Sequence, residues 1–232
     1  MKTPPREEGR VGAAETVAVL SSGGLDSAVL LRESCKSGVP VLPIYVRTGH
    51  IWEAAELHWM NELLATPELH AAAQLEVLAL PVDDLYGSHW SVSGRGVPGY
   101  DGSIDSNYLP GRNLLLLAKT SILCALRGIS RIAMAPLEDN PFPDGTTEFF
   151  DAFARAAAIG LARPLSIEVP FRGLSKADVV RRAGDFPFEL TFSCIQPRGI
   201  EHCGECTKCA ERQRGFADAG VKDSTSYAVR RQ

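Results

Sequence analysis

The strongest constraint on this chain is a run of small residues, Ser22-Gly23-Gly24-Leu25-Asp26-Ser27, set between two apolar stretches. Before it, Thr16 to Leu20 is apolar, rich in Val and barely alternating, as expected of a strand buried on both faces. After it, Ala28-Val29-Leu30-Leu31-Arg32 reads as helix. Strand, Gly-rich turn and helix in that order belong to a parallel α/β sheet, where ligands bind at the carboxyl ends of the strands. The turn itself is an anion site: its N–H groups are free, the helix dipole is positive there, and glycine brings no Cβ to block a phosphate. It lacks the Gly-Lys-Ser/Thr of a Walker loop and the three spaced glycines of a dinucleotide fingerprint. An ordinary Ser- and Gly-rich turn is the plainer alternative, and the placement of the run argues against it.

A chain of 232 residues is long enough for one large α/β domain with a full core. No stretch approaches the roughly 20 apolar residues of a membrane span. Met1 to Gly12 is charged and carries prolines without an apolar core, so residues 1–15 are expected to be a frayed tail and not a signal peptide. The net charge of −4 argues against bulk electrostatic binding of nucleic acid. A cytoplasmic enzyme is expected.

Six cysteines divide into two groups. Cys35 and Cys124 lie alone among apolar residues and read as small core side chains. Cys194, Cys203, Cys206 and Cys209 cluster, and the last three are too closely spaced for all to pair as disulfides. Four thiolates close a tetrahedral shell around zinc, with Gly204 letting the knuckle fold back so that N–H groups face sulfur. A four-Cys iron–sulfur cluster and free thiols are the competing readings. A metal with four protein ligands has no open position, so a structural role is expected.

Further strands are expected at residues 39–46, 74–80, 131–135 and 165–169, with helices at 50–64, 113–127, 149–161, 175–183 and 210–219. The Gly- and Ser-rich stretch 87–107 reads as a long mobile loop over a site. In Tyr108-Leu109-Pro110-Gly111-Arg112-Asn113, a turn delivers Arg112 and Asn113 to a helix start, where Arg112 grips an anion or Asn113 merely caps the helix. Glu138 to Gly145 combines carboxylates, stiffening prolines and Phe142, which suits a flat ligand or else a plain surface turn. Lys176, in the first turn of a helix, reaches phosphates or is solvated.

The Ser22–Ser27 loop resembles the pyrophosphate-binding loop (PP-loop) of ATPases that cleave ATP between the α- and β-phosphates. Together with Leu109-Pro110-Gly111-Arg112-Asn113, Phe142-Pro143-Asp144, Leu174-Ser175-Lys176-Ala177 and the four clustered cysteines, it resembles the 7-cyano-7-deazaguanine synthase (ExsB-like) family of that group, from about Val17 to Tyr227. The resemblance implies an adenine nucleotide alpha-hydrolase-like fold, a parallel sheet with helices on both faces, and a C-terminal four-Cys zinc knuckle. It implies a PP-loop ATPase domain over 16–190 and a zinc-binding segment over 191–232 packed on it. The implied reaction is ATP-dependent conversion of 7-carboxy-7-deazaguanine and ammonia to the nitrile, toward queuosine, by an enzyme that is often a homodimer.

Carried residue by residue, ATP is expected at Ser21, Ser22, Gly23, Gly24, Leu25, Asp26, Ser27, Ala28, Val29, Leu30 and Leu31, with adenine against the backbone near Tyr45. Asp26 is expected to help hold Mg²⁺, while Lys176 and Arg112 neutralise charge on the leaving pyrophosphate. Arg112, Asn113, Phe142 and Asp144 are the expected substrate contacts, and Cys194, Cys203, Cys206 and Cys209 the zinc ligands. The chain departs from the family pattern at Val46-Arg47-Thr48-Gly49-His50 and at Gly145-Thr146, both expected beside the substrate. Two alternatives follow: a PP-loop ligase for another small carboxylate, or a non-catalytic nucleotide-binding zinc partner of a tRNA-modifying complex.

Overall fold

Among the described residues the chain forms five short strands, the central ones buried and the outer two partly exposed: β1 (Val17–Leu20), β2 (Val41–Arg47), β3 (Glu76–Ala79), β4 (Arg131–Ala133) and β5 (Ser166–Glu168). The structure is a computed structural model that describes residues 16–229, so the tail expected over 1–15 lies outside the described residues. All four pairings are parallel, and the strand order is β3-β2-β1-β4-β5. The chain builds outward from β1 on one side, then crosses back to add β4 and β5 on the other. That reversal opens a crevice between the carboxyl ends of β1 and β4.

Among the described residues, eight α-helices connect and flank the strands: α1 (Leu25–Lys36), α2 (Glu53–Leu64), α3 (Asp83–Tyr86), α4 (Trp90–Ser93), α5 (Arg112–Arg127), α6 (Thr147–Leu161), α7 (Lys176–Ala183) and α8 (Thr207–Ala219). The pleat of β1 divides the core. Val17 and Val19 face α1, α7 and α8, while Ala18 and Leu20 face α5 and α6. Burial on both faces is why β1 and β2 read as continuous apolar runs rather than alternating ones. Cys35 and Cys124 are buried core residues as expected, and burial pushes the Cys124 thiol up to about 11, keeping it protonated.

Two expectations need correction. The 87–107 stretch is not a featureless loop: it contains α4 and a 3₁₀ turn over Ile104–Asn107, and it docks on the cysteine knuckle. Pro98 accepts the Thr207 N–H at 3.1 Å, and Asn107 accepts the Thr207 hydroxyl at 2.5 Å. The last helix begins at Thr207 rather than Ala210. Its first turn is made from the cysteine segment itself, a pattern whose apolar period is too short to read from sequence.

Candidate active site and metal centre

The crevice at the carboxyl end of β1 is a cavity of about 300 Å³, within the range of small-molecule sites. Loops after β1, β2 and β4 line it, together with the starts of α5 and α7 and residues 192–195. The loop after β1 is knitted by its hydroxyls. Ser27 Oγ accepts the Ser22 N–H at 3.2 Å and donates to the Gly24 carbonyl at 3.1 Å, while Ser22 Oγ accepts the Gly24 N–H at 3.3 Å. Gly24 caps α1 without any side-chain bond, so a twelve-residue helix presents its positive end to the cavity.

Not every residue expected at the nucleotide lies there. Ser22, Gly24, Leu25, Asp26 and Ser27 line the cavity with Tyr45, but Ala28, Val29, Leu30 and Leu31 turn into the core. Helical geometry demands this, because residues beyond the first turn recede from the mouth. Ser21 lines the cavity too, with its hydroxyl donating back to the Val19 carbonyl at 3.1 Å. Gly23 instead locks the loop, its carbonyl accepting the Phe192 N–H at 2.8 Å.

Asp26, Lys176 and Arg112 all reach the cavity. Lys176 Nζ donates to Asp26 Oδ2 at 2.6 Å, while Asp26 Oδ1 is buried and without a hydrogen-bond partner. Burial opposes the charge on Lys176, but Asp26 and Glu211 outweigh it and hold the ammonium well above its ordinary range. The Arg112 side chain makes no hydrogen bond or ion pair among the described residues, and its charge is felt at Tyr45, Glu56 and His50. A carboxylate oxygen with no donor beside a loop built for anions fits a divalent cation, and a free guanidinium fits an anionic ligand.

Asp144 and Asn113 meet, as expected of residues in one site, but they hold each other. Asp144 Oδ2 accepts the Asn113 backbone N–H at 2.7 Å, and Asn113 Nδ2 donates to the Asp144 carbonyl at 2.9 Å. Asp144 thus satisfies an open N–H at the start of α5, a role a neighbouring side chain was expected to fill. Phe142 stacks on Tyr108, ring centroids 5.2 Å apart, and both the Phe142 and Asp144 side chains border the cavity.

Of the two departures from the family pattern, only one faces the cavity. Thr48 and His50 line it, with the Thr48 and Gly49 N–H groups held by Glu53 Oε1, the latter at 2.7 Å. Thr146 is exposed and caps α6, its hydroxyl accepting the Phe149 N–H at 3.2 Å. The expectation that Gly145-Thr146 touches substrate is therefore corrected for Thr146: a helix start needs a cap, and threonine supplies one.

Sequence reasoning missed several lining residues, because they come from helix interiors and distant loops. Glu56 of α2 accepts the Tyr45 hydroxyl at 2.6 Å. Burial lifts its carboxyl to about 7, against the opposing pull of Arg112 and the Tyr45 hydrogen bond. His50, by contrast, was expected beside the substrate; stacked on Trp52 at 4.6 Å, it is pushed by burial down to about 3 and stays neutral near neutral pH. Glu211 and Arg212 arrive from α8, and Arg212 donates to the Phe188 carbonyl and to the Thr191, Ser193 and Thr225 hydroxyls. The signal available was an acidic residue in the first turn of α2, or a Glu-Arg pair shortly after the cysteines, and neither pattern is specific.

The four clustered cysteines are buried, and their Sγ atoms all lie within 4.8 Å of one another. Cys194 and Cys206 are 3.8 Å apart, Cys203 and Cys209 3.9 Å. Backbone N–H groups of Gln196 and Cys203 point at Cys194 Sγ, and that of Glu205 at Cys203 Sγ, each at 3.3 Å. Amide dipoles aimed at sulfur stabilise thiolates, so the set fits a metal ion. Gly204 sits at φ +81°, and a Cβ there would lie 1.9 Å from the Val229 carbonyl oxygen, so only glycine closes the knuckle.

Residues 16–220 match the family model described as Queuosine biosynthesis protein QueC. The chain is 31% identical to the 7-cyano-7-deazaguanine synthase of Methanothrix thermoacetophila over 90% of this chain and 96% of that one. The enzyme of the same name from Chlorobaculum tepidum is 30% identical over 91% of this chain and 96% of its own. A predicted subunit of tRNA methyltransferase from Methanocaldococcus jannaschii overlays with a TM-score of 0.49 at 16% identity, covering 74% of this chain and 75% of that one, too distant to bear on fold or reaction. With its family match running through both the β1 loop and the cysteine knuckle, the chain belongs to the QueC family of queuosine biosynthesis proteins.

Proposed function

We propose that this chain is an ATP-dependent carbon–nitrogen ligase that converts 7-carboxy-7-deazaguanine and ammonia to 7-cyano-7-deazaguanine, for queuosine-type biosynthesis in the cytoplasm. The observation that carries the reading is convergence: the β1 loop, Arg112, Asp144 and Lys176 border one cavity in a chain whose curated relatives bear that name along nearly their whole length. Residues 16–190 serve as the PP-loop ATPase domain and 191–232 as the metal-binding segment packed on it.

In this reading the open N-terminus of α1 and the Ser22 and Ser27 hydroxyls seat the phosphates of ATP, with adenine against Tyr45. The substrate carboxylate attacks the α-phosphorus and pyrophosphate leaves, its charge met by Lys176 and Arg112. Ammonia then displaces AMP to give the amide, which further ATP dehydrates to the nitrile. Phe142 and the free oxygen of Asp144 face the deazaguanine. Magnesium, held in part by Asp26, supplies charge neutralisation on the phosphates; the unpartnered Asp26 Oδ1 supports that assignment.

Zinc is the metal proposed for Cys194, Cys203, Cys206 and Cys209. Arms of about 2.3 Å give a tetrahedron with edges of about 3.8 Å, close to the spacing of Cys194 with Cys206 and of Cys203 with Cys209. Its role is structural, because four cysteines leave no open position. The test is direct: purified protein, MgATP, ammonia and the acid are expected to yield the nitrile. ATP consumption with a different acid and no nitrile from this one would assign the chain to another PP-loop ligase.

A further inference from the structure

Lys176 occupies an awkward place for a cation. It is the first residue of α7, at the positive end of that helix, and its side chain is only 11% exposed. Two carboxylates make the placement tolerable: Asp26 Oδ2 at 2.6 Å and Glu211 Oε1 at 2.9 Å. Only one of them is fit to stay when nucleotide arrives. Asp26 belongs to the phosphate loop and has a second oxygen open to a cation, so MgATP draws it toward metal. Glu211 comes from α8, outside that loop, and its other oxygen is tied to Lys208 Nζ at 2.5 Å. Held on that side, Glu211 keeps Oε1 turned to Lys176.

A second feature of α8 serves the same side chain. A Cβ on Gly215 would lie 2.5 Å from Lys176 Cγ and 3.2 Å from its Cβ, so the absence of a side chain there makes the groove in which the lysine stem runs. Glu211 and Gly215 are four residues apart and share one face of the helix. The face is aimed by the knuckle, since Cys206 caps α8 and Cys209 sits in its first turn.

We propose that Glu211, with Gly215, is a positioning residue that holds Lys176 on the phosphates of bound ATP. The inference rests on the nucleotide reading above and goes beyond it by giving α8 a part in ATP binding.

The test is a double-mutant cycle read by calorimetric MgATP binding, with metal content and melting temperature measured on each variant. E211Q removes the charge at constant shape and is expected to weaken MgATP binding about tenfold. G215A is expected to do the same by displacing the stem. In a Lys176→Ala background, E211Q should change the affinity by less than about twofold, because nothing is left to position. Binding by E211Q as tight as wild type, or tighter, overturns the proposal. So does an equal loss in both backgrounds, which would mean that Glu211 serves only the fold. Should G215A fail to fold, the Glu211 cycle still decides. Wild-type protein that binds no MgATP removes the nucleotide reading as well, whereas binding without turnover of the acid removes only the reaction.

Discussion

Asp26 shows how one side chain can be plain in sequence and still gain a partner only in the fold. Its place in the loop marks it for phosphate chemistry, while Lys176, 150 positions later, meets it across the cavity. Asp26→Ala should leave the melting temperature within a few degrees of wild type and abolish ATP-dependent turnover; retained turnover would remove the loop from the mechanism. Glu56 is the opposite case, invisible among the acids of an amphipathic helix. Its carboxyl rises from 4.5 to about 7 in the fold, so the native state holds more protons than the unfolded chain between those values. Its contribution to stability is complete below about pH 4.5 and is lost as pH rises through about 7. Glu56→Gln should therefore gain stability relative to wild type at pH 8 compared with pH 5, by roughly 1–3 kcal/mol. Equal differences at both pH values in denaturant titrations would show that Glu56 is not held protonated.

The helix starts carry most of the remaining logic. Asp144 caps α5 from 31 positions away, and Thr146 caps α6 from its own end. Thr146→Ala should cost about 1 kcal/mol of stability and leave the KM for the acid unchanged. A large rise in that KM would restore Thr146 to the substrate site. Asp144→Ala should cost stability as well and should raise the KM for the acid more than that for ATP. At the last helix, metal and cap coincide. About one zinc per chain is expected by elemental analysis, and chelation or Cys206→Ser should lower the melting temperature. Hydrogen exchange should then rise first in α8, ahead of β1 and β2. A chain without metal, or one whose α8 stays protected on chelation, would break that link; brown protein containing iron would favour a cluster.

At the level of the whole molecule, the reversal of strand order puts the β1 loop opposite the loop after β4, and everything chemical gathers at that crevice. No helix among the described residues is long and apolar enough to cross a membrane. The helices α5 and α6 carry exposed apolar side chains: Leu114, Ile122 and Leu126 of α5 and Ile159 of α6. A second copy is the occupant that the family resemblance implies, so light scattering should give twice the chain mass and Leu126→Glu should shift it toward the monomer. A wild-type monomer at micromolar concentration would exclude the dimer.

The strand–loop–helix unit, the parallel sheet and the cysteine cluster were all legible from residues alone, because each is encoded within a few consecutive positions. Burial on both faces makes a continuous apolar run, an anion turn needs small residues at a helix start, and a knuckle needs its cysteines close together. Tertiary structure alone decided what those pieces touch. It withdrew Ala28 to Leu31 from the cavity wall, turned Thr146 to solvent and docked the 87–107 stretch on the knuckle. It also brought Glu56, Glu211 and Arg212 to the cavity wall. The recession of Ala28 to Leu31 and the Thr146 cap follow from local helix geometry, but the other relations join residues 11 to 100 positions apart, where no local period or spacing leaves a trace; the packing of α2 and α8 against the sheet's open end specifies them.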